Sequence, residues 1–141
     1  MLYPEQLIDI GINAPKEHQR VISKLNTGLG ILFYKEKNIE LEPLPETMID
    51  EGQTSPVLDI QLYDNERFQT PIIIEVSHAN GVKNDFKKVI RLIEDFEYGV
   101  QEGFVYNYIT NDWWKYQKGK GRILDNPSFS EILNLDLATL L

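Results

Sequence analysis

Hydrophobic positions along the chain follow two periods. Val21, Ile22, Leu25, Leu29, Leu32 and Phe33 recur at spacings of three and four, which predicts an amphipathic helix over residues 15 to 35, with Asn13 or Ala14 as cap and Pro15 in the first turn. Ile39-Glu40-Leu41-Glu42 then alternates like a half-buried strand, and Pro43, Pro45, Asp50, Gly52 and Pro56 mark a turn-rich passage. Two β-branched runs, Val57 to Tyr63 and Ile72 to Ser77, flank the polar stretch DNERFQTP, as central strands flank a hairpin loop.

From about Asp85 the period lengthens again. Phe86, Val89, Ile90, Ile93 and Phe96 share one face of a second helix that Gly99 is placed to end. Phe104, Tyr106 and Tyr108 alternate with Val105, Asn107 and Ile109, a Thr110-Asn111-Asp112 turn follows, and Trp113 to Tyr116 runs back as an antiparallel partner. Ser128 and Glu131 have the spacing of a capping box for a short C-terminal helix.

Composition narrows the class. The 141 residues, 42% hydrophobic and 26% charged, suit one globular domain, 1–141, and neither a repeat nor a long polar linker divides them. No apolar run reaches the roughly 18 residues of a membrane span, and the start lacks a basic segment with an apolar stretch behind it. The expectation is a soluble, unsecreted, cytoplasmic protein with no membrane partner. Zero cysteines remove disulfides, thiolate metal sites and cysteine nucleophiles, and two histidines are too few for a three-histidine zinc site. No Gly-rich phosphate loop is present, so no organic cofactor is expected. The net charge of −8 argues against a protein that coats DNA by neutralising phosphates. Excess acid also suits a metal.

Asp59 lies in the middle of one apolar run and Glu75 follows three isoleucines in the next. Buried carboxylates are costly unless hydrogen-bonded, paired or bound to a cation. One shared divalent ion would account for both. With a backbone carbonyl such as that of Val76 and water, they make a hard oxygen site suited to Mg²⁺ or Mn²⁺. The alternative is that both acids line the solvated face of an antiparallel sheet.

An Asp strand followed by a Glu-x-Lys strand is the mark of the restriction-endonuclease-like PD-(D/E)XK superfamily. Leu58-Asp59 and Glu75-Val76-Ser77 resemble it, with Ser77 where the lysine would stand. Some branches carry that lysine on the following helix, where Lys87 and Lys88 are candidates. The chain is most similar to one such branch, the Uma-type family of candidate restriction endonucleases, through His18-Gln19, Asp59, Glu75-Val76-Ser77, Asp85 with Lys88, Gly99 to Phe104, and the C-terminal SEILNLDLATLL. The resemblance covers about residues 15 to 141. It implies an α/β fold, or α+β by stricter usage, with a mixed central β-sheet flanked by helices. It further implies Mg²⁺-dependent or Mn²⁺-dependent hydrolysis of phosphodiester bonds in DNA. Asp59, Glu75 and Val76 would hold the ion, and Lys88 or Lys87 would assist the chemistry.

Helical geometry separates those lysines, because Asp85 and Lys88 fall on one edge of the apolar stripe and Lys87 on the other. Glu17, Ser77, His78 and Asp85 are further candidates for the site's surroundings. His18 sits on the apolar side of the first helix, where packing is the simpler reading. Lys115, Lys118, Lys120 and Arg122 form a basic run placed to contact phosphates. The aromatics Tyr106, Tyr108, Trp113, Trp114 and Tyr116 suit cross-strand packing or a dimer surface better than a stacking platform, and a homodimer is expected. The alternative function is a nuclease-like scaffold that binds without cutting.

Overall fold

The structure, a computed structural model, describes residues 15–50 and 55–141. Asn13, Ala14 and Gly52, read above as caps and a turn, lie outside these residues. Helix α1, Lys16–Gly30, runs on into a π-helical turn, Ile31–Lys35. Pro15 itself precedes the helix in an extended conformation. Strands β1 (Glu42–Met48), β2 (Val57–Asp64) and β3 (Gln69–Ser77) follow, then helix α2 (Val82–Glu94). The chain continues through β4 (Glu102–Asn107), β5 (Asp112–Gln117), β6 (Gly121–Ile123), the pair β7 (Phe129–Ser130) and β8 (Leu135–Asp136), and a 3₁₀ turn, Leu137–Leu140.

The six longer strands form one mixed sheet in sequence order, β1-β2-β3-β4-β5-β6. Only β3 and β4 are parallel, because α2 carries the chain back between them. Each helix covers one face. Val21, Ile22, Leu25 and Leu29 of α1 pack with Ile60, Leu62, Ile72, Ile74 and Phe104, while Phe86, Val89 and Ile93 of α2 pack with Ile73 and Val105. Burial on both faces explains why β3 reads as an unbroken apolar run. At Gly103 the fit of α2 is tightest: a Cβ there would stand 2.2 Å from Val89 Cγ1.

Several boundaries differ from the sequence reading. The strand expected at Ile39 to Glu42 forms later and includes Pro43 and Pro45, which are tolerated because β1 is an edge strand. Helix α2 starts at Val82 and stops at Glu94, so Phe96 lies beyond it and is 41% exposed. Gly99, with φ +81°, turns the loop into β4 instead of ending the helix. Tyr108 and Ile109 belong to the turn after β4, and β6 was not anticipated. Ser128 caps no helix; its hydroxyl donates to Asp136 Oδ1 at 2.6 Å, which ties the β7–β8 pair together, and Asp136 caps the final turn. No described helix is long and apolar enough to cross a membrane.

Candidate active site

The sheet forks at one point. The ladder between β2 and β3 runs from Asp64 opposite Gln69 to Ile60 opposite Ile74 and stops. Beyond it β2 remains paired to β1 as far as Val57, and β3 remains paired to β4 as far as Ser77. Continuing the register places Asp59 opposite Glu75, at the gap. Backbone amides there need other acceptors, and the two acids supply them. The Asp59 amide donates to Glu75 Oε1 at 3.2 Å, and the Val76 amide donates to Asp59 Oδ2 at 2.7 Å. The fork lies at the C-terminal ends of the parallel strands, where α/β sheets commonly hold ligands.

Helix α2 delivers the first cation. Lys88 Nζ lies 3.4 Å from Glu75 Oε1 and donates to the Val57 carbonyl at 3.1 Å, so it bridges the two arms of the fork. Glu75 is 5% exposed. Burial, and then the neighbouring Asp59 carboxylate, push its pKa up to about 8, while Lys88 pulls the other way. The Ser77 hydroxyl bonds to the Asp85 carboxylate. Burial raises the Asp85 pKa against the opposing effects of that hydrogen bond and of Lys88. Ser77 therefore fills the strand position of the expected lysine by holding an acid of α2.

Helix α1 delivers a second basic group. His18 Nε2 stands 3.6 Å from Asp59 Oδ2, with the Tyr108 ring at 6.1 Å in an edge arrangement. Hydrogen bonding to Asp59 raises the His18 pKa, burial opposes it, and the Val76 carbonyl adds to the rise. Sequence periodicity alone read His18 as a packed residue. Its place on the inner face of α1 was visible, but its closeness to Asp59 depends on how α1 crosses the fork.

The other candidates separate. His78 is half-buried beside Asp85, and its Nδ1 accepts from the Asn80 amide at 3.2 Å. Lys87 is exposed and has no ion pair among the described residues, so the helix brings Lys88 alone to the carboxylates. Glu17 is also exposed and pairs with Arg20 at 3.2 Å, outside the cluster. Lys115 requires a correction, because it is 2% exposed and cannot reach a phosphate. It pairs with buried Glu102 at 3.3 Å and donates to the Phe129 carbonyl at 2.7 Å. Glu102 also accepts from the Ser130 hydroxyl and the Glu131 amide, a network that strand alternation could not reveal. Lys118 and Arg122 are exposed, and Lys120 lies 4.0 Å from Glu131. Trp113 packs across strands against Tyr106, and Trp114 packs against Phe86 of α2.

Asp59, Glu75 and the Val76 carbonyl are hard oxygen donors gathered at one gap, and Glu75 is a buried acid whose charged form a divalent ion would favour. The donor chemistry fits Mg²⁺ or Mn²⁺. Among the described residues no group of three or more acidic or histidine side chains is arranged to hold an ion, so water would have to complete the shell. Two grooves, of about 880 and 850 Å³, open elsewhere, around Asn65 and Gln69 at the other end of the β2–β3 hairpin.

No family model matches the chain, and no curated protein does. Among solved structures, the chain is similar to a candidate nuclease belonging to DUF820 from Anabaena variabilis, with a TM-score of 0.70 at 13% identity over 89% of this chain and 80% of the other. At that identity the likeness is one of fold: a six-stranded mixed sheet between two helices.

Proposed function

We propose that the protein is a divalent-metal-dependent endonuclease that hydrolyses phosphodiester bonds in DNA, of the Uma-type branch of the PD-(D/E)XK superfamily. The observation that carries this reading is the Lys88 ammonium set against Glu75, beside Asp59, at the fork of a nuclease-like sheet. Asp59, Glu75 and the Val76 carbonyl are the groups to hold Mg²⁺ or Mn²⁺, which when bound polarises a phosphate and acidifies water. Lys88 stabilises charge developing on the phosphate or orients the attacking water. His18 holds the Asp59 carboxylate from α1, and Ser77 fixes the Asp85 carboxylate.

The test is cleavage of plasmid and oligonucleotide DNA with Mg²⁺, Mn²⁺ or Ca²⁺. Mg²⁺ or Mn²⁺ is expected to support cutting, and Ca²⁺ to fail because its larger, looser shell positions water poorly. Asp59→Asn and Glu75→Gln should each abolish turnover. A second reading has its own support: with Ser at position 77 and a net charge of −8, the chain also suits a scaffold that binds without cutting. Absence of metal-dependent cleavage in every condition selects that second reading.

A further inference from the structure

The positive charge of this acidic chain is unevenly placed. Four of its 14 basic residues, Lys83, Lys87, Lys88 and Arg91, fall on the 13 residues of α2, against two acids, Asp85 and Glu94. Lys88 turns inward to Glu75. Lys83, Lys87 and Arg91 are exposed and have no ion-pair partner among the described residues. They recur every four positions, so about 6 Å of helix separates each charge from the next along one outer stripe. Next to it, the Arg122 guanidinium lies 4.0 Å from the centre of the Trp114 ring and 5.7 Å from that of Phe86 on α2. This stacking fixes the plane of the guanidinium while its N–H groups remain available at its edge.

We propose that this outer face of α2, Lys83, Lys87 and Arg91 with Arg122 beside them, is a docking surface for the phosphate backbone of duplex DNA. It deepens the nuclease reading by giving the substrate a track on the helix that carries Lys88. Charge complementarity selects the occupant: a polyanion is repelled by a molecule of net charge −8 except where unpaired cations cluster. Duplex is favoured over single strand because Phe86, the only aromatic on α2, is 7% exposed, and the half-buried Trp114 ring beside it is covered by Arg122, so neither ring is open to an unpaired base. Helix α1 has the same spacing in Lys16, Arg20 and Lys24, but there Arg20 is engaged by Glu17 at 3.2 Å.

That similarity supplies a charge-matched control. Binding of a fluorescent 20-base-pair duplex is measured in EDTA, so that no cleavage is involved, over a series of salt concentrations. The triple variant Lys83→Gln, Lys87→Gln, Arg91→Gln should lose at least about tenfold in affinity at low salt, and its log–log salt slope should fall by about 2.7, or 0.9 for each lost phosphate contact. The triple variant Lys16→Gln, Arg20→Gln, Lys24→Gln should bind as the unaltered protein does. The swap Lys83→Arg, Lys87→Arg, Arg91→Lys keeps the charge and should restore affinity, which excludes a folding defect as the cause. The proposal is overturned if the unaltered protein does not bind duplex, if both glutamine variants lose affinity equally, or if the α2 variant binds normally. Tighter binding of single-stranded DNA or RNA overturns the choice of duplex. Binding with no cleavage leaves the surface intact and sinks only the nuclease reading.

Discussion

Lys88 reaches Glu75 from a helix, at 3.4 Å, although the strand position two residues after Glu75 would have been the shorter route for a lysine. Serine occupies that position and is tied to Asp85. The cation therefore belongs to α2, and the acids belong to β2 and β3.

This division predicts different behaviour for the two kinds of group. In Mn²⁺ titration calorimetry, Asp59→Ala and Glu75→Ala should each remove measurable binding. Lys88→Ala should bind the ion at least as tightly, because the ammonium that competes for Glu75 is gone. Its turnover should nevertheless fall by about 10²-fold or more, as when one charge-stabilising donor is lost. Weakened Mn²⁺ binding by Lys88→Ala would refute the division of roles.

The metal-free protein should lose stability as pH rises. Glu75, Asp85 and His18 all hold their protons more tightly in the folded chain than in the unfolded one. For Glu75 the span runs from 4.5, its ordinary value, to about 8. Across it the folded state binds more protons, so the stabilisation is complete at the acid end and disappears towards the alkaline end. Thermal melting in EDTA at pH 5, 6.5 and 8 should show a falling midpoint, and Glu75→Gln should flatten the decline. A midpoint that rises over the same range contradicts the assignment.

The paired acids were legible because carboxylates stand out in β-branched runs, and Lys88 could be separated from Lys87 by helical angle alone. His18 and Lys115 were not legible, for one physical reason. Each is decided by a partner distant in sequence, Asp59 for the first and Glu102 for the second, and periodicity reports which face a residue occupies without reporting what lies opposite. In β1, composition misled directly: Pro43 and Pro45 suggest turns, but an edge strand does not need every amide.

Breaking the Lys115–Glu102 pair should be costly. Lys115→Met leaves Glu102 buried at 1% exposure with its charge unmatched, and should reduce the unfolding free energy by about 3 to 5 kcal/mol in urea. Adding Glu102→Gln should recover much of the loss, since the lone charge is then removed. A single variant as stable as the unaltered protein would refute this role for the pair.

Gly103→Ala tests how firmly α2 is seated. With Val89 Cγ1 2.2 Å from the new methyl group, the helix has to lift from β4, at a cost of about 1 to 3 kcal/mol. Lys88 rides on the same helix, so turnover should fall more than Mn²⁺ affinity does. Equal losses in both would show that the strands had moved as well.

The two borders of the sheet also govern how this chain can meet another copy of itself. On one side Pro43 and Pro45 remove amide donors and Glu46 turns left-handed at φ +48°; on the other, β6 has three residues. Neither border offers a long, regular row of free amides and carbonyls, so sheet-to-sheet extension between molecules is blocked at both ends. A homodimer, which light scattering at micromolar concentration would reveal as a doubled mass, must then join through helix or turn surfaces. It would leave the sheets of its two copies separate, each with its own fork.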